Sequence, residues 1–462
     1  MHRASDLPLE TQLPARGNRA RGPARAWLAL AVAALLVSTA YVLVIVLVRS
    51  GFAGLIGDSE VYFHTALVLH VDFALIVWLL AIAAMIWNLS LPAGGGGRWP
   101  YLDPLLAAMG ISLMLFSALL GTGRPIISDY LLLLDHPLFL LGLGWFICGI
   151  GLAALRFSMA TWRRRTAPDW RGISELAVRG SVLAFCSAVA AFFMAAGLPW
   201  ETPGSLPAYS RLFWGAGHLL QFRYLFLLIA AWGWLWHQTG TGPRRAGKVY
   251  QALLWGLMAL AVSGPLLYLL LDETRIAFTR LMEIGGTLGL GMLLLTLFQG
   301  APKARGGRGA DVFTALAAYS MALFVAGALL GFFIQGNDAV VPAHYHGMMG
   351  AVTLACMGLA YRVCPRLGLM APSASTIRLQ ARLYAAGIGL VMLGLILSDL
   401  PRKALASAAS VDLSLLAGRI SMAIGGSAAL LASLLFIVLM LRAFLHAPGK
   451  GAWLRRPLEL SD

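Results

Sequence analysis

The sequence predicts an all-α integral membrane protein, a bundle of twelve transmembrane helices with both termini in the cytoplasm. Hydrophobic residues make up 59% of the 462 residues and charged residues only 12%, roughly half of the about 25% found in soluble domains. The mean hydropathy is +0.79. Twelve apolar segments are each long enough to cross a bilayer, which needs about 20 residues per helix. This composition excludes a soluble enzyme and a disordered protein.

The twelve predicted spans follow one another through short polar connections. They are residues 27–48, 64–88, 102–121, 130–155, 180–200, 209–236, 249–271, 278–299, 311–334, 340–361, 383–400 and 413–441. Residues 1–26 are polar and rich in Pro and Arg, and we expect a disordered cytoplasmic tail there. Residues 27–441 then form one membrane domain, and residues 442–462 form a second cytoplasmic tail. The first span is full length and lacks a small-residue cleavage site, so we expect no cleaved signal peptide.

Basic residues are distributed unevenly between the two sides of the predicted bundle. With the N-terminus inside, the cytoplasmic segments hold 26 of the 35 Lys and Arg residues, including the run Arg163–Arg165. Such a bias fixes the orientation of a multi-pass protein. The net charge of +15 therefore belongs to one membrane face and predicts no nucleic-acid partner. We expect the protein in a bacterial inner membrane, in contact with lipid.

Cysteines give no sign of a disulfide framework or a zinc site. The four cysteines are scattered and lie mostly inside apolar runs: Cys148, Cys186, Cys356 and Cys364. The sequence contains no Cys-x-x-Cys-His motif, which excludes a covalently attached c-type haem on this chain.

Histidines are concentrated in the outer halves of the even-numbered spans. Six of the nine lie there: His64, His70, His136, His218, His344 and His346. Because the bilayer disfavours ionisable groups, a residue of this kind inside it is a functional candidate. A single histidine of this sort can equally be hydrogen-bonded to a neighbouring helix. The clustering of six favours a ligand function.

Spacing along the helices predicts how four of these histidines could bind iron. His70 and His346 each lie about six residues into their spans, about 9 Å below the outer ends. Two imidazoles at one depth can ligate a haem iron from both sides, giving a six-coordinate iron that transfers electrons. His344 is turned by about 200° from His346, so it can hold a second haem with one axial position open. His218 is about 13 Å deep and could face that open position.

Five segments carry a family resemblance. They are Val341–Leu354 with its Ala-His-Tyr-His, Leu212–His218 with its Leu-Phe-Trp-Gly-Ala-Gly-His, His70 on the second span, Leu400–Lys403, and Asp272–Thr279. In this order and on these spans, they resemble the catalytic subunit I of the haem–copper oxidase superfamily, which includes the nitric oxide reductases. The resemblance covers essentially the whole membrane domain and implies the twelve-helix bundle of that subunit.

The resemblance implies a cofactor for each of these histidines. His70 and His346 would ligate a low-spin haem, His344 a high-spin haem, and His218 a non-haem metal opposite it. The protein would then be a dihaem respiratory oxidoreductase that passes electrons from the first haem to the second, which reduces O2 or NO. Arg402 and Lys403 match the family's Pro-Arg-Arg segment, which holds haem propionates, although a solvated outer turn is the alternative for this pair.

Three positions depart from the oxidase pattern. Where the family has adjacent histidines that bind copper, this sequence has Ser263 and Gly264. Phe222 stands where many oxidases have a tyrosine. A copper site normally needs several imidazoles, so copper is less expected here than iron.

A glutamate favours iron rather than copper as the second metal. The segment Phe278–Glu283 resembles the start of helix 8 in nitric oxide reductases, where a glutamate lies near a non-haem iron. Carboxylate together with imidazole is a plausible ligand set for iron, so we take His218 and Glu283 as candidate catalytic residues. The alternative is that Glu283 only pairs with Arg280 or Arg275 at the interface.

Two functions thus remain open from the sequence. The first is a terminal oxidase or nitric oxide reductase, supplied with electrons by a separate c-haem or copper-domain subunit, or by quinol. The second is a non-catalytic haem membrane protein, an electron conduit or gas sensor that has lost the copper site.

Overall fold

The computed structural model is almost entirely helical in the part of the chain that it describes. The described residues are 18–49, 59–92, 99–121, 123–127, 132–164, 166, 170–198, 206–236, 247–271, 274–298, 308–334, 338–403 and 408–446. Their helices are α1 Asn18–Arg49, α2 Ser59–Val71, α3 Trp78–Leu89, α4 Leu102–Leu119, α5 Pro137–Thr161, α6 Trp170–Ala196, α7 Leu206–Trp236, α8 Gly247–Ser263, α9 Leu267–Leu270, α10 Thr274–Phe298, α11 Arg308–Gly331, α12 Val340–Val363, α13 Ala374–Lys403 and α14 Ala408–Leu445. The predicted all-α membrane fold is confirmed at this level.

Two irregular turns join consecutive helices end to end. A π-helical turn, Asp72–Val77, joins α2 to α3. A 3₁₀ turn, Gly264–Leu266, joins α8 to α9. Helix α1 begins at Asn18, so residues 18–26 of the predicted tail extend the first helix. Residues 1–17 and 447–462 lie outside the described part of the chain.

Eleven helical segments of the described chain are long and apolar enough to cross a membrane, as expected for a multi-pass protein. The predicted span 340–361 is present as the 24-residue helix α12, but it is not among the eleven. His344 and His346 lie in its N-terminal half and lower its hydropathy. The count of twelve spans and the cytoplasmic location of both termini therefore stay predictions.

A β-hairpin replaces the start of one predicted span. Residues 130–155 were expected to be helical, but β2, Leu132–Asp135, pairs antiparallel with β1, Arg124–Ile127. The prediction was wrong here because a short run of leucines fits a strand as well as a helix. Helix α5 starts only at Pro137, a favourable first helical residue.

Polar side chains connect the hairpin and the start of α5 to the rest of the bundle. The side chain of His136 caps α5 by accepting a hydrogen bond from the backbone N–H of Leu138 at 3.2 Å. Arg124 and Asp135, which face each other across the hairpin, form an ion pair of 3.0 Å. Tyr209 of α7 donates to Asp135 at 2.9 Å. The hairpin is therefore attached both to α5 and to α7.

Glycines set the close approach of neighbouring helices. Across α11 and α12, a Cβ atom at Gly347 would lie 2.6 Å from the Cα atom of Gly327. Across α4 and α5, a Cβ atom at Gly110 would lie 2.5 Å from the carbonyl oxygen of Gly142. Small residues at such contacts allow backbones to touch, as is common between membrane helices.

A buried polar cluster joins four helices at their ends opposite to the histidines. Arg156 of α5 and Asp103 of α4 form an ion pair of 2.8 Å, with side-chain exposures of 12% and 0%. The indole of Trp27 on α1 donates to Asp103 at 2.9 Å. Arg156 also donates to the side-chain oxygen of Asn88 on α3 at 2.6 Å. The cluster satisfies charges that would otherwise be costly in an apolar bundle.

Candidate functional site

His70 lies at the end of α2 and is held by α1. Its Nδ1 atom lies 2.9 Å from the hydroxyl and 3.2 Å from the carbonyl oxygen of Ser38. The Ser38 hydroxyl in turn donates to the carbonyl of His70 at 3.0 Å. Because a carbonyl accepts from Nδ1, this nitrogen carries the proton, and Nε2 presents a lone pair. This is the arrangement that metal-ligating histidines adopt.

His344 and His346 on α12 are held in the same way. Nδ1 of His346 donates to the carbonyl of Pro342 at 2.7 Å. Nδ1 of His344 donates to the carbonyl of Gly327 on α11 at 2.8 Å. This second bond depends on the glycine contact between α11 and α12. Both imidazoles therefore offer Nε2 as the unprotonated nitrogen.

His346 lies in the same region of the bundle as His70. His346 has protein on most sides, yet its side chain is exposed, and His70 is half-buried. The neighbouring Ala343 and Gly347 are buried. The side chains of both histidines are thus partly accessible, although the helices around them are packed.

His218 on α7 is in a different environment. It is 1% exposed, and its Nδ1 atom donates to the carbonyl of Trp214 at 2.8 Å. Its ring packs against the rings of Trp214, at 4.9 Å between centroids, and Phe278, at 6.1 Å. His218 is buried among aromatic side chains, whereas His70 and His344 are half-buried and His346 is exposed.

Glu283 on α10 does not approach His218. It forms an ion pair of 2.6 Å with Arg280, and the two side chains are 53% and 71% exposed. Phe278 of the same helix contacts His218. Five residues separate Phe278 from Glu283, which corresponds to a rotation of about 140° around the helix. The ion pair with Arg280 is the alternative that the sequence left open.

The structure describes few contacts of the remaining predicted site residues. Arg402 and Lys403 close α13, but their side chains lie outside the described part of the structure. Ser263 donates to the carbonyl of Leu260 in its own helix at 2.8 Å. Among the described residues, no group of three or more His, Cys, Asp or Glu side chains is placed to hold a metal ion.

Arg223 is a buried charge whose partners were not evident from the sequence. It is fully buried and donates to the carbonyl of Leu79 on α3 at 2.9 Å. Its guanidinium lies 4.1 Å from the ring centroid of Tyr224, and Tyr224 donates to the carbonyl of Leu75 in the π turn at 2.7 Å. One backbone carbonyl and an aromatic face therefore contact this charge.

Sequence analysis missed Ser38 and Gly327, which orient two of the candidate ligands. Ser38 stands as a hydroxyl inside an apolar span, which is the one available signal. Gly327 acts through its backbone carbonyl, a group present at every position, so the sequence carries no signal for it.

Sequence comparisons find similar proteins in two bacteria, and no established family model matches the chain. An uncharacterized protein of Aquifex aeolicus (strain VF5) is 28% identical over 354 residues, covering 74% of this chain and 85% of that protein. Uncharacterized protein RP382 of Rickettsia prowazekii (strain Madrid E) is 25% identical over 401 residues, covering 73% of this chain and 77% of that protein.

A solved structure shows what kind of bundle this is. A heme-copper terminal oxidase, determined by cryo-EM as a dimer, matches with a TM-score of 0.64. The match covers 91% of this chain and 84% of that chain at 14% sequence identity. At this identity the likeness establishes the fold, and the fold is that of a heme-copper oxidase-like membrane bundle. The resemblance found in the sequence is confirmed to this extent.

Proposed function

We propose that this chain is a haem-carrying respiratory oxidoreductase of the inner membrane. Electrons would pass from a low-spin haem between His70 and His346 to a high-spin haem on His344, where O2 or NO is reduced. The observation that carries the proposal concerns His70 and His346: two imidazoles from α2 and α12, each anchored through Nδ1, lie in the same region of the bundle and are partly accessible. When bound in this way, haem supplies reversible one-electron exchange, and a free axial position admits a diatomic gas.

The protein's own groups would fix the positions of the ligands. Ser38 holds the His70 ring from α1, and the Gly327 carbonyl holds the His344 ring from α11. Hydrogen bonds of this kind select the tautomer and raise the basicity of the ligating nitrogen. In this proposal Arg402 and Lys403 pair with the haem carboxylates as charge-assisted hydrogen bonds.

Topology and partners complete the proposal. Helix α12 would be the tenth of twelve spans, with its two histidines directed into the bundle, and both termini would be cytoplasmic. Electrons would come from a separate c-haem or copper-domain subunit, or from quinol, since this sequence has no Cys-x-x-Cys-His motif.

A haem count and two substitutions test the proposal. Purified protein should contain two haems per chain by the pyridine haemochrome assay. His70→Ala or His346→Ala should remove the six-coordinate low-spin spectrum, because a five-coordinate iron has a different spin state. His64→Ala, which removes another histidine of α2, serves as the control and should leave the spectrum unchanged. An unchanged reduced spectrum in both ligand variants would refute the assignment.

The second candidate function is a non-catalytic electron conduit or gas sensor. The ion pair between Glu283 and Arg280 favours it, because that pair engages the carboxylate expected at a second metal. Consumption of O2 or NO with an artificial electron donor would support the oxidoreductase. CO binding without such consumption would support the sensor, and haems that bind no CO would support the conduit.

A further inference from the structure

His218 and three aromatic side chains form one chain of ring contacts, here called the His218 cluster: His218, Trp214, Phe278 and Tyr268. The ring centroids of Trp214 and His218 are 4.9 Å apart, those of His218 and Phe278 6.1 Å, and those of Phe278 and Tyr268 5.2 Å. Phe278 is fully buried, and Tyr268 is 7% exposed. The cluster is therefore an aromatic packing unit contributed by α7, α9 and α10, in which Trp214 is half-buried.

The positions that could supply further metal donors are occupied in other ways. A stable metal site needs several donors in a defined geometry. Ser263 uses its hydroxyl within its own helix, donating to Leu260 at 2.8 Å. A Cβ atom at Gly264 would lie 2.5 Å from a methyl carbon of Leu219, the residue after His218. The space beside Gly264 is thus filled by an aliphatic side chain.

Glu283 is directed away from the cluster. Phe278 marks the face of α10 that meets α7, because its ring contacts His218. Farther along α10, Cβ atoms at Gly285 and Gly289 would press on Phe222 and Leu225 of α7. Glu283 lies about 140° from Phe278 around the helix and is paired with Arg280. Reaching His218 would require breaking that pair and rotating α10.

We infer that no metal ion is held at His218, and that this histidine is a packing and hydrogen-bonding residue of an aromatic wall. The inference deepens the proposed function and rests on it for the haem at His344. In that setting the haem on His344 would act on a diatomic gas without a second metal ion at His218.

Metal analysis of the purified wild-type protein is the first test. Iron measured by mass spectrometry should equal haem measured as the pyridine haemochrome, and copper should be far below one atom per chain. One extra iron or copper atom per chain, lost in His218→Phe, would overturn the inference. If the protein contains no haem, the proposed function fails, but the metal content still decides the His218 question.

A matched pair of substitutions is the second test. His218→Phe places an aromatic ring in an aromatic cluster and should keep both haems. It should change the CO dissociation constant of the reduced protein by less than about threefold, which is below 1 kcal/mol. His344→Phe should abolish CO binding. Loss of CO binding in His218→Phe with the haem retained would contradict the inference.

A third variant covers the case in which His218→Phe does not assemble. Glu283→Gln leaves the His218 cluster intact and removes the only carboxylate that the sequence offered as an iron ligand. We expect its iron-to-haem ratio to equal that of the wild type. A lower iron content in Glu283→Gln would restore the iron site predicted from the sequence.

Discussion

Replacing Ser38 by alanine should loosen the hold on the candidate haem ligand His70 without unfolding the bundle. The change deletes the hydroxyl contact to Nδ1 at 2.9 Å and the bond to the His70 carbonyl at 3.0 Å. The Ser38 carbonyl, at 3.2 Å from Nδ1, remains as an acceptor and preserves the tautomer. One hydrogen bond contributes about 1 kcal/mol net. Partners of ligating histidines typically change metal affinity by about 10–100-fold.

The surviving carbonyl places the expected effect at the lower end of that range. We expect Ser38→Ala to release its low-spin haem about 10-fold faster, measured by transfer to apomyoglobin in detergent. Ser38→Thr keeps a hydroxyl and is the control. Equal release rates for Ser38→Ala and the wild type would show that the hydroxyl does not position His70.

Two further predictions concern the packing of the bundle. Asp103→Ala and Arg156→Ala should each destabilise the protein by about 3–5 kcal/mol, because each leaves one buried charge unpaired. The double variant should lose less than the sum in thermal unfolding, and additive losses would contradict a direct pair. Gly347→Ala should force α12 away from Gly327, cost about 1–3 kcal/mol by overpacking, and weaken CO binding at His344. Gly389→Ala, where a Cβ atom meets nothing within 4 Å, is its control, and equal CO affinity in both variants would refute the role of this contact.

The membrane bundle was predictable because bilayer thickness dictates the length and polarity of each span. The exception is instructive. Residues 132–135 are as apolar as the helix that follows, and hydropathy does not distinguish a strand from a helix over so short a run. Helix α12 is the opposite case. Its His-Tyr-His motif predicts a helix that is present, although its sequence is too polar to be recognised as a membrane span by hydropathy alone.

The depth of the candidate site residues in the bundle could be predicted, but the direction in which each side chain leaves its helix could not. A rise of 1.5 Å per residue gives the height of a side chain, and His70 and His346 were placed at one level in this way. Glu283 has a similar height, yet it lies on the wrong side of α10 to meet His218. Its orientation follows from tertiary packing, in which Phe278 takes the face toward α7.

The π turn Asp72–Val77 affects the rotation of α2, the helix that carries His70, about its own axis. A π turn contains about one residue more than an α-helical turn, and one residue corresponds to about 100° of rotation. Helix α3 below it is buried on almost all sides, so its rotation is fixed by its neighbours. The π turn therefore sets the rotation of α2 relative to α3, and with it the neighbour that the His70 imidazole faces. Removing one residue from this turn would swing His70 off its target by about a quarter of a revolution, while the inner half of the rod kept its place.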